Sequence, residues 1–151
     1  MADEIHADYD SGNTLYAVIR NAAGQVWYVA GRVFEAWGTS GHDADDYDIA
    51  LADKAGSRYV GDFDINIAAG RYGVQVFLQA GASPADTDSL VGSGQIIWTG
   101  LGELTADKIL ANKAVQNKIT GAINYYDDDG QTIVLTHTPS DEQATIARLP
   151  S

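Results

Sequence analysis

The 151-residue chain contains no cysteine, which excludes disulfide bridges, thiolate chemistry and zinc sites built on cysteine. It has no apolar run of about 18 residues, the length a membrane-crossing helix needs. Cations are scarce: 9 lysines and arginines stand against 21 aspartates and glutamates, a formal net charge of −12. Direct nucleic-acid binding works by neutralising phosphates, and this chain cannot supply a basic stripe. Anionic membranes are disfavoured for the same reason, so no membrane insertion is expected. The opening MADEIHADYDSG lacks the basic and apolar regions of a secretory signal, and none is expected there. There is no internal repeat and no low-complexity tract.

What is present suits one compact domain or two small ones: 45% of residues are hydrophobic and 20% charged. Residues 1–12 are polar and acidic, with only Ile5 and Tyr9 for apolar grip, and read as an N-terminal arm. From residue 13 the signal is strand and turn. Alternating segments fall at 14–20 (TLYAVIR), 25–29 (QVWYV), 32–37 (RVFEAW), 47–53 (YDIALAD), 58–63 (RYVGDF), 71–79 (RYGVQVFLQ) and 94–99 (GQIIWT). Turns are expected at 21–24 and 54–57, and polar loops at 38–46 and 80–93, with Gly92-Ser93-Gly94 as a turn into the last strand. About seven short strands at this spacing predict an all-β sandwich or barrel. Alternating faces must be buried against a second sheet, so an antiparallel sandwich over residues 13–99 is favoured. The segment 69–72 (AGRY), before an alternating strand, resembles the turn-plus-tyrosine entry of immunoglobulin-like domains, where the tyrosine hydroxyl returns to a nearby loop.

Residues 100–116 read as a connector around one short helix, 104–115 (LTADKILANKAV), with Thr105 as N-cap and Asp107 in the first turn. Its apolar stripe is Leu104, Ile109, Leu110, Ala114 and Val115. Residues 117–151 read as a small β-hairpin module with a last short run at 144–149. Ile119, Ile123 and Tyr125 share a face of the first hairpin strand; Ile133, Leu135 and His137 share one in the second. Asp127-Asp128-Asp129-Gly130 is the turn between them. A twelve-residue helix and a lone hairpin are each about marginal in water. Their apolar sides must dock on each other within the chain or on copies of it. With the resemblance described below, which favours copies, Leu104, Ile109, Leu110, Val115, Ile123, Tyr125, Ile133, Leu135 and His137 are the candidate oligomer interface.

Three acidic clusters (Asp127, Asp128 and Asp129; residues 42–48; Asp62 with Asp64) could offer oxygens to calcium, but none has the spaced EF-hand pattern. Their simpler reading is solvated turns, so no metal and no cofactor is assigned. His6, His42 and His137 lie on an arm, a loop and a strand; there is no GxSxG elbow, and no enzyme is expected. Trp27, Trp37 and Trp98 could stack on sugar rings if exposed, but aromatics at alternating strand positions are more often core.

At TLYAVIRNAAGQVW, FEAW, YVGDF, AAGRY, QAGASPADTD and VGSGQIIWTG the chain resembles virion structural proteins of tailed bacteriophages. The piece ANKAVQNKITGAINYYDDDGQTIVLTHTP resembles the small C-terminal module that accompanies them, and together these cover most of residues 13–139. The resemblance implies a non-enzymatic protein of the phage particle, assembled in the host cytoplasm. Its partners would be itself, with a trimer favoured, and other virion proteins. Capsid decoration and a short tail or fibre appendage both remain open, as does the alternative of a carbohydrate-binding module for host surface glycan.

Overall fold

A computed structural model describes residues 3–103, 105, 109–142 and 145–147, without side chains from residue 140 onward. The fold is all-β and antiparallel, of sandwich or barrel-like form, with a short helix. The strands are β1 (Ile5–Asp8), β2 (Leu15–Arg20), β3 (Val26–Tyr28), β4 (Val33–Glu35), β5 (Ile49–Asp53), β6 (Arg58–Gly61), β7 (Gly70–Leu78) and β8 (Ser89–Trp98). Helix α1 (Ala44–Tyr47) lies between β4 and β5. C-terminal to these come β9 (Ala114–Gln116), β10 (Ile123–Tyr126), β11 (Ile133–His137), β12 (Ser140–Glu142) and β13 (Thr145–Ala147).

Strand β2 is the centre. It pairs β7 along its whole length, from Leu15↔Leu78 to Arg20↔Gly73. Its other edge pairs β5 at Leu15↔Leu51 to Ala17↔Ile49, then β3 at Arg20↔Val26. The sheet therefore runs β1-β6-β5-β2-β7-β8, with the β3–β4 hairpin branching from β2. Strands along that whole path turn side chains into one core: Ile5, Tyr59, Leu51, Leu15, Ala17, Ile19, Val74, Val76, Ile96 and Trp98. A sheet whose members all face one core must curl around it. The opposite face of β2 is buried as well. Tyr16 and Val18 pack with Val26, Ala44 and Tyr47, which places α1 as a roof over the sheet.

Several expectations are met by particular contacts. The Tyr72 hydroxyl donates to the Ala68 carbonyl at 2.8 Å, and its ring stacks on Phe34 at 5.5 Å. The Asn21–Gly24 turn closes through Gly24 N–H to the Asn21 carbonyl at 3.0 Å. Others need correction. The supposed arm is part of the sheet: β1 pairs β6 from Ile5↔Gly61 to Asp8↔Arg58, and Ile5 is buried. Beyond β1, Tyr59 clamps the chain, its hydroxyl donating to the Asp10 and Asn13 carbonyls at 3.0 Å. Residues 38–46 are not an open loop throughout, because Asp43 and Asp46 form a reciprocal capping box that starts α1. Tyr47 ends that helix instead of opening β5. Gly92-Ser93-Gly94 lies inside β8, which begins at Ser89.

The expected helix at 104–115 is only partly described. Leu104 and residues 106–108 lie outside the described residues, while Ile109 and Leu110 are helical. Ala114 and Val115 belong instead to β9, which pairs β10 at Asn124↔Val115 and Tyr125↔Ala114. The C-terminal module is thus a three-stranded sheet, β11-β10-β9, followed by the β12–β13 pair.

Candidate interaction surface

The β10–β11 hairpin forms where the alternation placed it, with Ile123↔His137 and Tyr125↔Leu135 as cross-strand pairs. Its turn is built by aspartates. Asp129 accepts from the Gln131 and Thr132 amides at 2.8 Å and from the Thr132 hydroxyl at 2.6 Å. Those bonds, the Thr132 hydroxyl foremost, hold the Asp129 carboxyl down to about 2. Asp128 accepts from the Asn112 amide at 2.8 Å, and Asp127 from the Asp128 N–H at 2.8 Å. All three aspartates take part in bracing the turn and the segment before it. Asp62 and Asp64 are engaged likewise, by the Asp3 N–H at 2.9 Å and the Trp27 indole at 2.8 Å.

The β9–β10 connection is braced by Asn117, whose side-chain oxygen accepts from the Ile119 and Thr120 amides at 2.9 and 3.2 Å. Ile119 consequently sits at the loop tip and is 96% exposed, not on the hairpin face with Ile123 and Tyr125. Gly121 closes this loop at φ 75°, with Pro139 only 2.9 Å from where a Cβ would lie. A side chain there would be both strained and crowded.

The candidate interface residues divide. A register shift beside Tyr125 lets Tyr126 pair with Ile133 and leaves Val134 as the extra residue, buried. Ile133 and Leu135 line a cleft of about 490 Å³ against Ile97, Trp98, Thr99 and Leu101 of the larger sheet's end. Ile123, Tyr125 and His137 line a different, open concavity of about 250 Å³ with Gln116, Gly121 and Pro139. Leu110 is 84% exposed, Val115 is 43% exposed and Ile109 is half-buried. One side of the module is covered by its own chain. Leu110, Val115 and Ile119 are exposed, and pairing with Asn124 puts Val115 on the face opposite Ile123 and Tyr125.

The tryptophans weaken a sugar-stacking role. Trp27 and Trp98 are buried, and Trp98 donates its indole N–H to the Ile67 carbonyl at 2.9 Å. Trp37 is half-exposed, but its ring is occupied by Tyr47 at 4.9 Å and the Arg20 guanidinium at 5.2 Å.

Sequence reasoning missed one polar cluster. His42 Nδ1 lies 2.6 Å from Glu35 Oε1, and the Tyr47 hydroxyl donates to that same oxygen at 3.0 Å. Glu35 interrupts the apolar run RVFEAW, and an acid set among apolar residues is a signal that a partner must exist. The His42 ring stacks on Tyr28 at 4.1 Å, so the cluster ties β4, α1 and the segment between them. The Tyr47 hydroxyl is committed to Glu35 and to the Gly38 N–H, at 3.1 Å, and offers no free nucleophile. The hydrogen bond to Glu35 raises the His42 pKa above its ordinary 6.5. A raised folded-state value means that this stabilisation is complete below the ordinary value and lost as pH rises through the raised one. Melting curves from about pH 5 to 8 are expected to show a wild-type advantage over His42→Asn that shrinks as pH rises. An advantage that grows with pH would contradict the pairing.

The chain matches no family model, no curated protein and no solved structure.

Proposed function

We propose that this chain is a non-enzymatic structural protein of a tailed-phage particle, acting by self-association through its C-terminal module and by docking on other virion proteins. The observation that carries this reading is the exposure of large apolar side chains on that module, Leu110 at 84%, Ile119 at 96% and Val115 at 43%, together with the open Ile123–Tyr125–His137 concavity. Exposed apolar surface concentrated on so small a sheet marks an interaction site. Copies related by rotation would bury it, and three copies are the favoured number. The sequence resemblance over residues 13–139 supports placement in the virion.

The test is a double substitution, Leu110→Asp with Ile119→Asp. Both side chains are exposed on the single chain, so its own stability should change by no more than about 0.5 kcal/mol per site. The assembled wild-type mass is expected to fall to that of a single chain, which still melts cooperatively but at a lower temperature because association no longer supports the fold. An assembly that survives both charges would contradict this interface.

A further inference from the structure

We infer that the gap between β1 and β8 is an acceptor site for an extended, basic peptide strand from a partner protein. The two strands are the free ends of the curled sheet: among the described residues β1 pairs only β6, and β8 pairs β7 apart from an isolated bridge between Trp98 and Glu103. Between them lies an open groove of about 340 Å³, floored by Leu15, Val74, Val76 and Ile96.

The groove has a cause in the sequence. Residues 92, 94, 96 and 98 of β8 share the inward face, opposite Val76, Val74, Tyr72 and Gly70. Ile96 and Trp98 fill the core, but positions 92 and 94 are glycine. A Cβ on Gly94 would meet nothing within 4 Å, and one on Gly92 would meet only the Val76 Cβ, at 3.7 Å. Glycine inside a strand weakens it and marks places where another backbone approaches closely. Neither residue has the positive φ that would itself require glycine.

The edge of β8 points the same way. Its ten residues, SLVGSGQIIW, carry no charge, and Leu90 and Ile97 are exposed. Proteins protect long edge strands with charge, proline, bulges or a cover. The single register shift near Val76 lies toward one end and leaves residues 92–98 regular. A strand added to this edge would satisfy its backbone groups while its alternate side chains enter the groove, the mode called β-augmentation.

Charge selects the occupant. The groove lining includes Glu4, Asp8 and Glu103 and no lysine or arginine. Glu4 accepts the Phe63 N–H at 3.1 Å, and Asp8 lies 3.6 Å from the Arg58 guanidinium. Neighbouring His6 accepts from Arg58. A second copy would bring another net charge of −12 to this rim. The fitting partner is an extended segment of roughly six residues, spanning 91–96. Small or β-branched side chains would lie over Val74 and Val76, and lysine or arginine on the outward positions. This surface is separate from the C-terminal module, so the two proposals stand or fall independently.

The test titrates the full chain with a capped peptide of alternating lysine and valine, about eight residues long. Its glutamate–valine counterpart is the control. Wild type is expected to bind the lysine peptide, with amide shifts confined to residues 5–8 and 91–96 and weakening at high salt. The glutamate peptide should bind about tenfold more weakly or worse. Gly94→Val fills the groove from within and should lose binding by about tenfold or more while melting no lower than wild type. Gly92→Ala, a smaller change, should lose part of it and serves if the first variant folds poorly. Absent binding, equal binding of the glutamate peptide, or undiminished binding by both variants would overturn the proposal. A loss of assembly mass in Gly94→Val without peptide would put a second copy in the groove and also overturn it.

Discussion

Trp98→Ala is expected to lower the unfolding free energy by about 3–5 kcal/mol. A domain is held folded by only about 5–15 kcal/mol, so this one change takes a large share. The indole is 1% exposed and packs on Phe63 with ring centroids 4.7 Å apart. Its N–H donates to Ile67, anchoring the chain between β6 and β7 against the end of β8. Trp98 also lines the cleft that receives Ile133 and Leu135, so its loss should loosen the C-terminal sheet as well. Trp98→Phe keeps an aromatic ring and leaves the Ile67 carbonyl without its donor, a cost of about 1–3 kcal/mol. Urea denaturation should therefore rank wild type above Phe and Phe above Ala. An alanine variant within about 1 kcal/mol of wild type would mean that the indole is not in the core.

Val18→Asp is expected to cost roughly 3–5 kcal/mol or more, because it leaves a carboxylate buried without a partner. Val18 is wholly buried on the face of β2 that α1 covers, among Val26, Ala44 and Tyr47. Were β2 an ordinary strand with one wet face, this position would accept a charge. The same substitution at exposed Gln95 should stay within about 0.5 kcal/mol. Thermal melts of the two variants side by side distinguish a strand buried on both faces from one buried on a single face.

The double burial corrects the reading of 14–20 as an alternating segment: LYAVI has no charged or amide residue at any alternate position, the pattern of a strand covered on both sides. The alternation in 71–79 and the hairpin at 123–137 gave strands directly, since β-branched and aromatic residues there sit on a pleated surface. Other elements depended on tertiary contacts. Residues 114–116 carry helix-compatible side chains, and it is pairing with Ile123 to Tyr125 that makes them a strand. Gly92 and Gly94 looked like a turn because glycine in isolation argues for one; only the ladder with Val76 and Val74 keeps them extended. The acids at 43 and 46 read as part of a solvated polar loop, though their spacing of three is also that of a capping box. Ile123, Tyr125, Ile133, Leu135 and His137 were correctly grouped on the hairpin. What no spacing could reveal was the bulge at Val134, which pairs Ile133 with Tyr126 and so takes it off the face that Leu135 and His137 share with Ile123 and Tyr125.

We propose that copies of the chain cover the exposed apolar side chains of its C-terminal module, Leu110, Val115 and Ile119. Static light scattering on the purified full chain reads this directly. The account predicts a molar mass of about three times the 16.1 kDa of one chain, stable on dilution. A mass of 16.1 kDa at every concentration would contradict it.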